Sequence, residues 1–188
     1  MLGALVLVAS LNVAATLQAP TISTLVSRAV ALPIEAAEAD GAWLVPGALM
    51  LGEEVSSADA LVAAGIDCYV SRAEADAPPP SFLADAAGIR CANCVFDTPR
   101  DVEPLLSLLG TCVSHYEGGG RAVYVTNPVV AACLLSLLRE DADGAAIDAL
   151  RTQGQRRFVK SIVKSIRTHR RLLRDQAMAA AGMPRGYL

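Results

Sequence analysis

The sequence AVYVTNPVVAACLLSLL, residues 122–138, decides what kind of fold this chain adopts. Its first four residues are apolar and include two valines and a tyrosine, which favours a buried β-strand. The apolar run that follows Pro128 is long enough to favour a buried helix. Asn127 suits the N-cap of that helix because its side chain can accept an amide hydrogen bond, and Pro128 suits the first helical position because it has no amide to satisfy. The stretch therefore predicts a strand that runs into a helix through only Thr126, Asn127 and Pro128.

Short apolar strands alternate with helices on the amino-terminal side of this stretch. Strands are predicted at residues 49–51, 66–70, 91–96 and 122–125, and helices at residues 56–64, 82–87, 102–116 and from 128 onward. Gly52, Gly65 and Gly88 each end one of these segments. Alternation of this kind, with right-handed crossovers, predicts an α/β sandwich with a mainly parallel central sheet flanked by helices.

The amino terminus has the pattern of a targeting sequence. Residues 2–15 are apolar except for Ser10 and Asn12, and the stretch is too short for a membrane span of about 20 residues. It predicts a signal-peptide core with small residues at 13–15 for cleavage, although no Lys or Arg precedes it. Residues 16–28 contain hydroxyl groups and Arg28 but no acid, which resembles a transit peptide. Together they predict the secretory pathway or an organelle such as a plastid; the alternative is a cytoplasmic protein with an apolar N-terminal helix packed on its domain.

Length and composition set the domain boundaries. A chain of 188 residues, 53% of them hydrophobic, can form one domain with a sizeable core. Residues 1–42 are assigned to the targeting-like segment and a small, acidic linker at 36–41. The folded domain is predicted to span residues 43–174, followed by a tail at 175–188.

The cysteines, histidines and glycines predict neither a metal site nor a nucleotide site. Cys91 and Cys94 match C-x-x-C, but they lie in a predicted strand, whereas the redox form of this motif lies at a helix N-terminus. No second Cys/His pair completes a zinc site. His115 is predicted to end a helix, where the helix dipole favours a cation. The glycines at 118–120 precede a strand and predict a turn, so no cofactor is expected.

The carboxyl-terminal region is strongly basic although the whole chain has a net charge of -3. From Arg151 onward there are ten Lys and Arg residues and one acid, Asp175. Apolar residues at helical spacing over 155–173 predict a helix that closes the core and leaves a basic face outside. Lys164, Arg167 and Arg171 are the candidate partner-binding residues on that face. A protein partner is the first expectation, a membrane or RNA the second, and a solvated face without a partner the alternative.

Five segments match one protein family in the order in which that family has them. They are WLVPGALMLG at 43–52, GIDCYV at 65–70, AGIR at 87–90, DTP at 97–99 and QRRFV at 155–159. These segments resemble the dual-specificity branch of the tyrosine-type protein phosphatases. The resemblance implies a phosphotyrosine-phosphatase-like fold over residues 43–174, with Asp97 at the position of the general acid.

The chain departs from this family where the catalytic loop should be. The family has H-C-x5-R between strand and helix, and that loop supplies the nucleophilic Cys and the Arg that binds phosphate. This chain has only Thr126, Asn127 and Pro128 there. The segment from Cys133 to Arg139 does match C-x5-R, but its leucines and its lack of glycine predict a helix interior.

The sequence therefore predicts a catalytically inactive phosphatase-fold protein, a pseudophosphatase, that acts as a binding or scaffold module. The helix dipole at Asn127 and Val129 is a candidate for weak phosphate or sulfate binding. An active tyrosine or dual-specificity phosphatase whose loop is missing from this sequence is the first alternative. A small accessory subunit of an organelle complex is the second.

Overall fold

A computed structural model of the chain describes residues 19–32, 34, 43–71, 79–83, 88–93, 102–139, 150 and 152–181. These residues form one sheet with helices on both faces. The strands are β1 (Trp43–Val45), β2 (Leu49–Leu51), β3 (Cys68–Ser71), β4 (Arg90–Asn93) and β5 (Val123–Val125). The helices are α1 (Ile22–Val30), α2 (Ala58–Ala63), α3 (Val102–Glu117), α4 (Pro128–Leu138) and α5 (Gln153–Ala180), with a 3-10 turn at Ser81–Leu83.

The strand order across the sheet is β1-β2-β5-β3-β4. β1 and β2 are antiparallel, and every other neighbouring pair is parallel. β5 therefore lies at the centre, between β2 and β3. The prediction of an α/β fold with a mainly parallel sheet flanked by helices is confirmed. The phosphotyrosine-phosphatase-like form of that fold stays a prediction.

Side chains alternate along each strand, so each strand contributes to two hydrophobic clusters, one on each face of the sheet. The two clusters differ in size. Val123 and Val125 of β5 enter a large core that also contains residues from α1, α3, α4 and α5. Tyr124, between them, enters a smaller cluster with residues from α2 and the 3-10 turn. α4 packs deep in the large core, where residues 129–137 are all buried. This burial explains why α4 is apolar on every side.

Aromatic rings form the smaller cluster. Tyr69 stacks on Tyr124 at a centroid distance of 5.8 Å and meets the edge of Phe82 at 5.6 Å. The Tyr124 hydroxyl donates to the carbonyl oxygen of Glu53 at 2.7 Å. A Cβ at Gly52 would lie 2.0 Å from that hydroxyl oxygen, so only glycine fits at this position. The glycine that ends β2 therefore lets Tyr124 reach the loop after the strand.

α1 belongs to the core and packs on α3, α4 and α5. Leu25, Val26 and Ala29 are at most 5% exposed. Arg28 donates to the carboxylate of Glu117 at the end of α3, with nitrogen–oxygen distances of 2.8 and 2.5 Å. The predicted domain start at residue 43 leaves out this helix. The alternative of an N-terminal helix packed on the domain describes residues 22–30 well; residues 2–15 and the linker at 36–41 lie outside the described residues, and targeting stays a prediction.

α5 begins with a capping box and then closes the core. The Thr152 hydroxyl accepts from the Gln155 amide at 3.2 Å, and the Gln155 side chain accepts from the Thr152 amide at 3.3 Å. Four of the residues that were predicted to face the core are buried, at 159, 162, 163 and 166. The predicted core-closing helix is thus confirmed. It continues to Ala180, so the predicted tail at 175–188 begins inside the helix.

No helix in the described part of the chain is long and apolar enough to cross a membrane.

Candidate functional site

The junction between β5 and α4 has the form that the sequence predicted. Asn127 is the N-cap residue of α4, and its Oδ1 accepts from the Val129 amide at 2.9 Å. Pro128 occupies the first position of the helix. Val125, at the end of β5, is fully buried, and its carbonyl oxygen accepts from the Gly52 amide at 3.2 Å. The chain therefore passes from the central strand into a capped helix with no room for a phosphate-binding loop.

The amides at this helix end are largely occupied. Pro128 has no N–H, the Val129 amide binds the Asn127 side chain, and the Ala131 amide donates to the Asn127 carbonyl at 3.0 Å. An anion at the candidate site of Asn127 and Val129 would have to displace the cap. Binding of phosphate or sulfate at this site stays a prediction. Such binding is expected to be weak because the Val129 amide already donates to the Asn127 side chain.

Cys133 lies inside α4, as predicted from its leucine-rich surroundings. Its side chain is fully buried, and burial raises the pKa of its thiol to about 12. Arg139 follows the last residue of α4, roughly 9 Å along the helix axis from Cys133. A phosphatase nucleophile must be a thiolate at neutral pH beside the phosphate-binding Arg. The C-x5-R match supplies neither condition.

Of the other residues that the family resemblance or the C-x-x-C pattern pointed to, only Cys91 is among the described residues. Asp97 and Cys94 lie outside the described residues. Cys91 is in β4, as predicted, where its thiol donates to Asn93 Oδ1 at 3.3 Å and burial raises its pKa. No group of three or more His, Cys, Asp or Glu side chains that could hold a metal ion occurs in the part of the chain that the structure describes.

A polar cluster that the sequence analysis missed lies at the amino ends of the parallel strands. Asp67 directly precedes β3 and accepts three hydrogen bonds of 2.8 Å, from His115 Nε2 and from the amides of Arg121 and Ala122. His115 does lie in the last turn of α3, as predicted, but its ring is turned inward and 6% exposed. An aspartate before a buried strand and a histidine one turn before three glycines were the available signals.

The glycines beside this cluster make room for the imidazole ring. Gly118 and Gly119 form the turn that was predicted, with Gly119 at φ +83°. A Cβ on Gly120 would lie 2.3 Å from the His115 ring. A cavity of about 240 Å³ opens next to the cluster, lined by Asp67, His115, Arg90 and four glycines.

The electrostatics of this cluster suit structure better than acid–base chemistry. Burial by itself would raise the pKa of Asp67, but the two amides and His115 outweigh it and hold the pKa below its usual value. The other ring nitrogen of His115, Nδ1, is buried and has no hydrogen-bond partner within the described ranges. A general base needs a nitrogen that reaches its substrate. In open α/β sheets, moreover, ligands bind at the carboxyl ends of the strands, whereas this cluster lies at their amino ends.

The predicted basic face of α5 is exposed to solvent. Lys164, Arg167 and Arg171 are all exposed, so the structure leaves the candidate partner-binding residues on the surface. Arg170 differs from them, because it is half-buried and donates through Nη2 to the Leu137 carbonyl near the end of α4. Burial lowers the pKa of Arg170. Arg170 therefore joins α5 to α4, whereas Lys164, Arg167 and Arg171 are exposed.

No known protein family, no curated protein and no solved structure matches this chain.

Proposed function

We propose that this chain is a catalytically inactive phosphatase-fold protein that acts as a binding module. The single observation that carries the proposal is the direct passage from the central strand β5 into the capped helix α4. Phosphoryl transfer to a cysteine needs a thiolate, a ring of converging amides and a positioned Arg together. A junction of Thr126 and Asn127 ahead of Pro128 offers none of these.

The positions of the family-like segments in the fold support the phosphatase part of the proposal. WLVPGALMLG forms the β1–β2 hairpin, and GIDCYV runs from the end of α2 into β3. Residues 88–90 of AGIR lead into β4, and QRRFV begins at Gln155, the capping-box residue in the first turn of α5. Four of the five family-like segments thus lie at the start or the boundary of a structural element, which is where a shared fold would need them, and the fifth, DTP at 97–99, lies outside the described residues.

A phosphatase assay tests the catalytic part. The purified chain should give no turnover of p-nitrophenyl phosphate or of phosphopeptides above the buffer rate. If turnover is found, Cys133→Ser and Asp97→Asn locate its source. Cys112→Ser is the matched control, because Cys112 is also a fully buried helical cysteine but belongs to no C-x5-R match.

Turnover that Cys133→Ser removes and Cys112→Ser preserves would refute the proposal. The sequence of the transcript between Val125 and Val129 supplies an independent check, because a longer natural loop would restore the alternative of an active phosphatase.

The binding part of the proposal rests on α5. Its apolar stripe is buried against the domain, whereas Lys164, Arg167 and Arg171 remain exposed. Reversing the charge of these three residues should abolish partner binding and leave the melting temperature nearly unchanged, because exposed charges contribute little to stability. Partner binding that survives the reversal would place the binding surface elsewhere.

A further inference from the structure

Four cations lie in a line along the outer side of α5. Arg157, Lys160, Lys164 and Arg171 are spaced by three, four and seven residues, and all four are exposed. At 3.6 residues per turn they fall within an arc of about 60° over a length of roughly 21 Å. We call these four residues the basic stripe. Side chains three and four residues apart are neighbours on a helix, so Arg157, Lys160 and Lys164 form a continuous row of positive charge, and Arg171 lies two turns further along the same side.

The high positive charge of α5 contrasts with the acidic remainder of the chain. α5 carries eight Lys and Arg and one acid, Asp175, so the rest of a chain with net charge -3 carries -10. Like charges three and four residues apart destabilise a helix, and surfaces that serve only solubility intersperse the two signs. Half of the sixteen Lys and Arg residues lie in this one helix of an otherwise acidic protein, which indicates a docking surface for a negatively charged partner.

Two kinds of anionic partner fit poorly. A membrane-binding helix inserts its apolar face, but the apolar residues Val159, Ile162 and Ile166 of α5 are buried against the domain. Single-stranded RNA is held by stacking on aromatic rings; Phe158, the one Phe, Tyr or Trp in α5, packs on the core, and the ring of His169 is partly buried.

We propose that the basic stripe binds an acidic α-helix of a partner protein. This inference rests on the proposed function as a binding module and names the class of partner. Glutamates at the same three, four and seven spacing on a facing helix would repeat the spacing of the cations, with neighbours 5–6 Å apart at the three- and four-residue steps and about 10 Å apart at the seven-residue step.

A pair of synthetic peptides tests this geometry with the full chain. The first is a labelled alanine-based helix whose glutamates repeat the spacing of the stripe along one face; the second has the same composition with its glutamates distributed around the helix. Fluorescence anisotropy at low ionic strength should give at least tenfold tighter binding of the first peptide. Raising the salt to physiological strength should weaken that binding, because exposed charges are screened.

Two variants with the same three positions changed separate charge from structure. Lys160→Glu, Lys164→Glu and Arg171→Glu together should weaken binding of the first peptide by roughly tenfold or more. Lys160→Arg, Lys164→Arg and Arg171→Lys together keep the charge and should stay within about twofold of the unchanged chain. Both variants should melt like the unchanged chain.

Equal binding of the two peptides, or binding that survives charge reversal, would overturn the proposal in favour of a solvated face. Tighter binding of polyuridylate or of phosphatidylserine vesicles than of the first peptide would overturn it in favour of RNA or a membrane. None of these outcomes bears on the absence of phosphatase turnover, which depends on the β5–α4 junction. Conversely, turnover in the phosphatase assay would leave the peptide result unchanged.

Discussion

The two ends of β5 are built in opposite ways. At its carboxyl end, where a parallel sheet normally binds ligands, the chain enters α4 through a simple Asn127 cap. At its amino end, the amides of Arg121 and Ala122 join Asp67 and His115 in a network of three hydrogen bonds beside a cavity. The carboxyl end, where ligands are expected, has only a helix cap, whereas the amino end, where none is expected, has the polar cluster.

This difference teaches that a partly buried polar cluster beside a cavity is not by itself evidence of a catalytic site. Both carboxylate oxygens of Asp67 are occupied by groups of the protein itself. The network ties the start of β3, the end of α3 and the start of β5 together. Its expected effect is on stability, whereas the short junction at the other end is the feature on which the proposed lack of phosphatase activity rests.

The largest effect should follow the loss of the Asp67 carboxylate. Asp67→Ala removes the acceptor of two amides and an imidazole at once, and we expect the free energy of unfolding to fall by about 3 kcal/mol. Urea denaturation measures this loss. Asp67→Asn keeps the shape and one acceptor oxygen and should cost less. Glu54→Ala, at an exposed acid, is the control and should change stability by less than about 0.5 kcal/mol. An Asp67→Ala protein as stable as the Glu54 control would contradict a structural role for the cluster.

The next largest effect should come from crowding His115. Gly120→Ala places a methyl group 2.3 Å from the imidazole, so the ring must leave Asp67 or the turn must move. We expect a loss of about 2 kcal/mol. Gly118→Ala is a matched control two residues away, where the nearest contact of the new Cβ is 3.4 Å and the substitution should be nearly neutral. Equal melting temperatures of the two variants would argue against the tight fit around His115.

At the other end of β5, Asn127→Ala should have a smaller effect. The substitution removes the side chain that accepts from the Val129 amide, and loss of an N-cap costs about 1 kcal/mol. Asn127→Asp keeps the acceptor and should retain most of the stability, which serves as the control. A loss as large as that of Asp67→Ala would erase the contrast between the two ends.

The smallest effect concerns pH. Because the pKa of Asp67 is lowered in the folded protein, its carboxylate stabilises the fold above the unfolded pKa of about 3.9, and this contribution is lost as the pH falls through the folded value. The stability difference between the unchanged chain and Asp67→Asn should therefore shrink as the pH falls from about 5 towards about 3. Urea denaturation of both proteins across this range checks it. A difference that grows in acid would mean that Asp67 is protonated in the folded state.

The sequence alone predicted those features that depend only on residues close together in the chain. Asn127 before Pro128 predicts a cap from side-chain chemistry alone, and the alternation of apolar segments predicts an α/β fold with a mainly parallel sheet. The buried stripe of α5 followed from helical spacing of Val159, Ile162, Val163 and Ile166. The absence of a nucleophile loop is also visible in the sequence, since only Thr126, Asn127 and Pro128 lie between strand and helix.

The tertiary structure decided which distant residues meet. Asp67 and His115 are 48 residues apart, and only the placement of α3 beside β3 brings their side chains to 2.8 Å. The Ser, Thr and Arg28 of α1 resemble a transit peptide, and only the packed structure shows that Leu25 and Val26 are buried where α1 contacts three other helices. Arg170 and Arg171 are adjacent in sequence, but one binds the end of α4 and the other faces solvent. Composition and spacing describe what a segment can do locally, whereas its partners depend on contacts that form only when the whole chain packs.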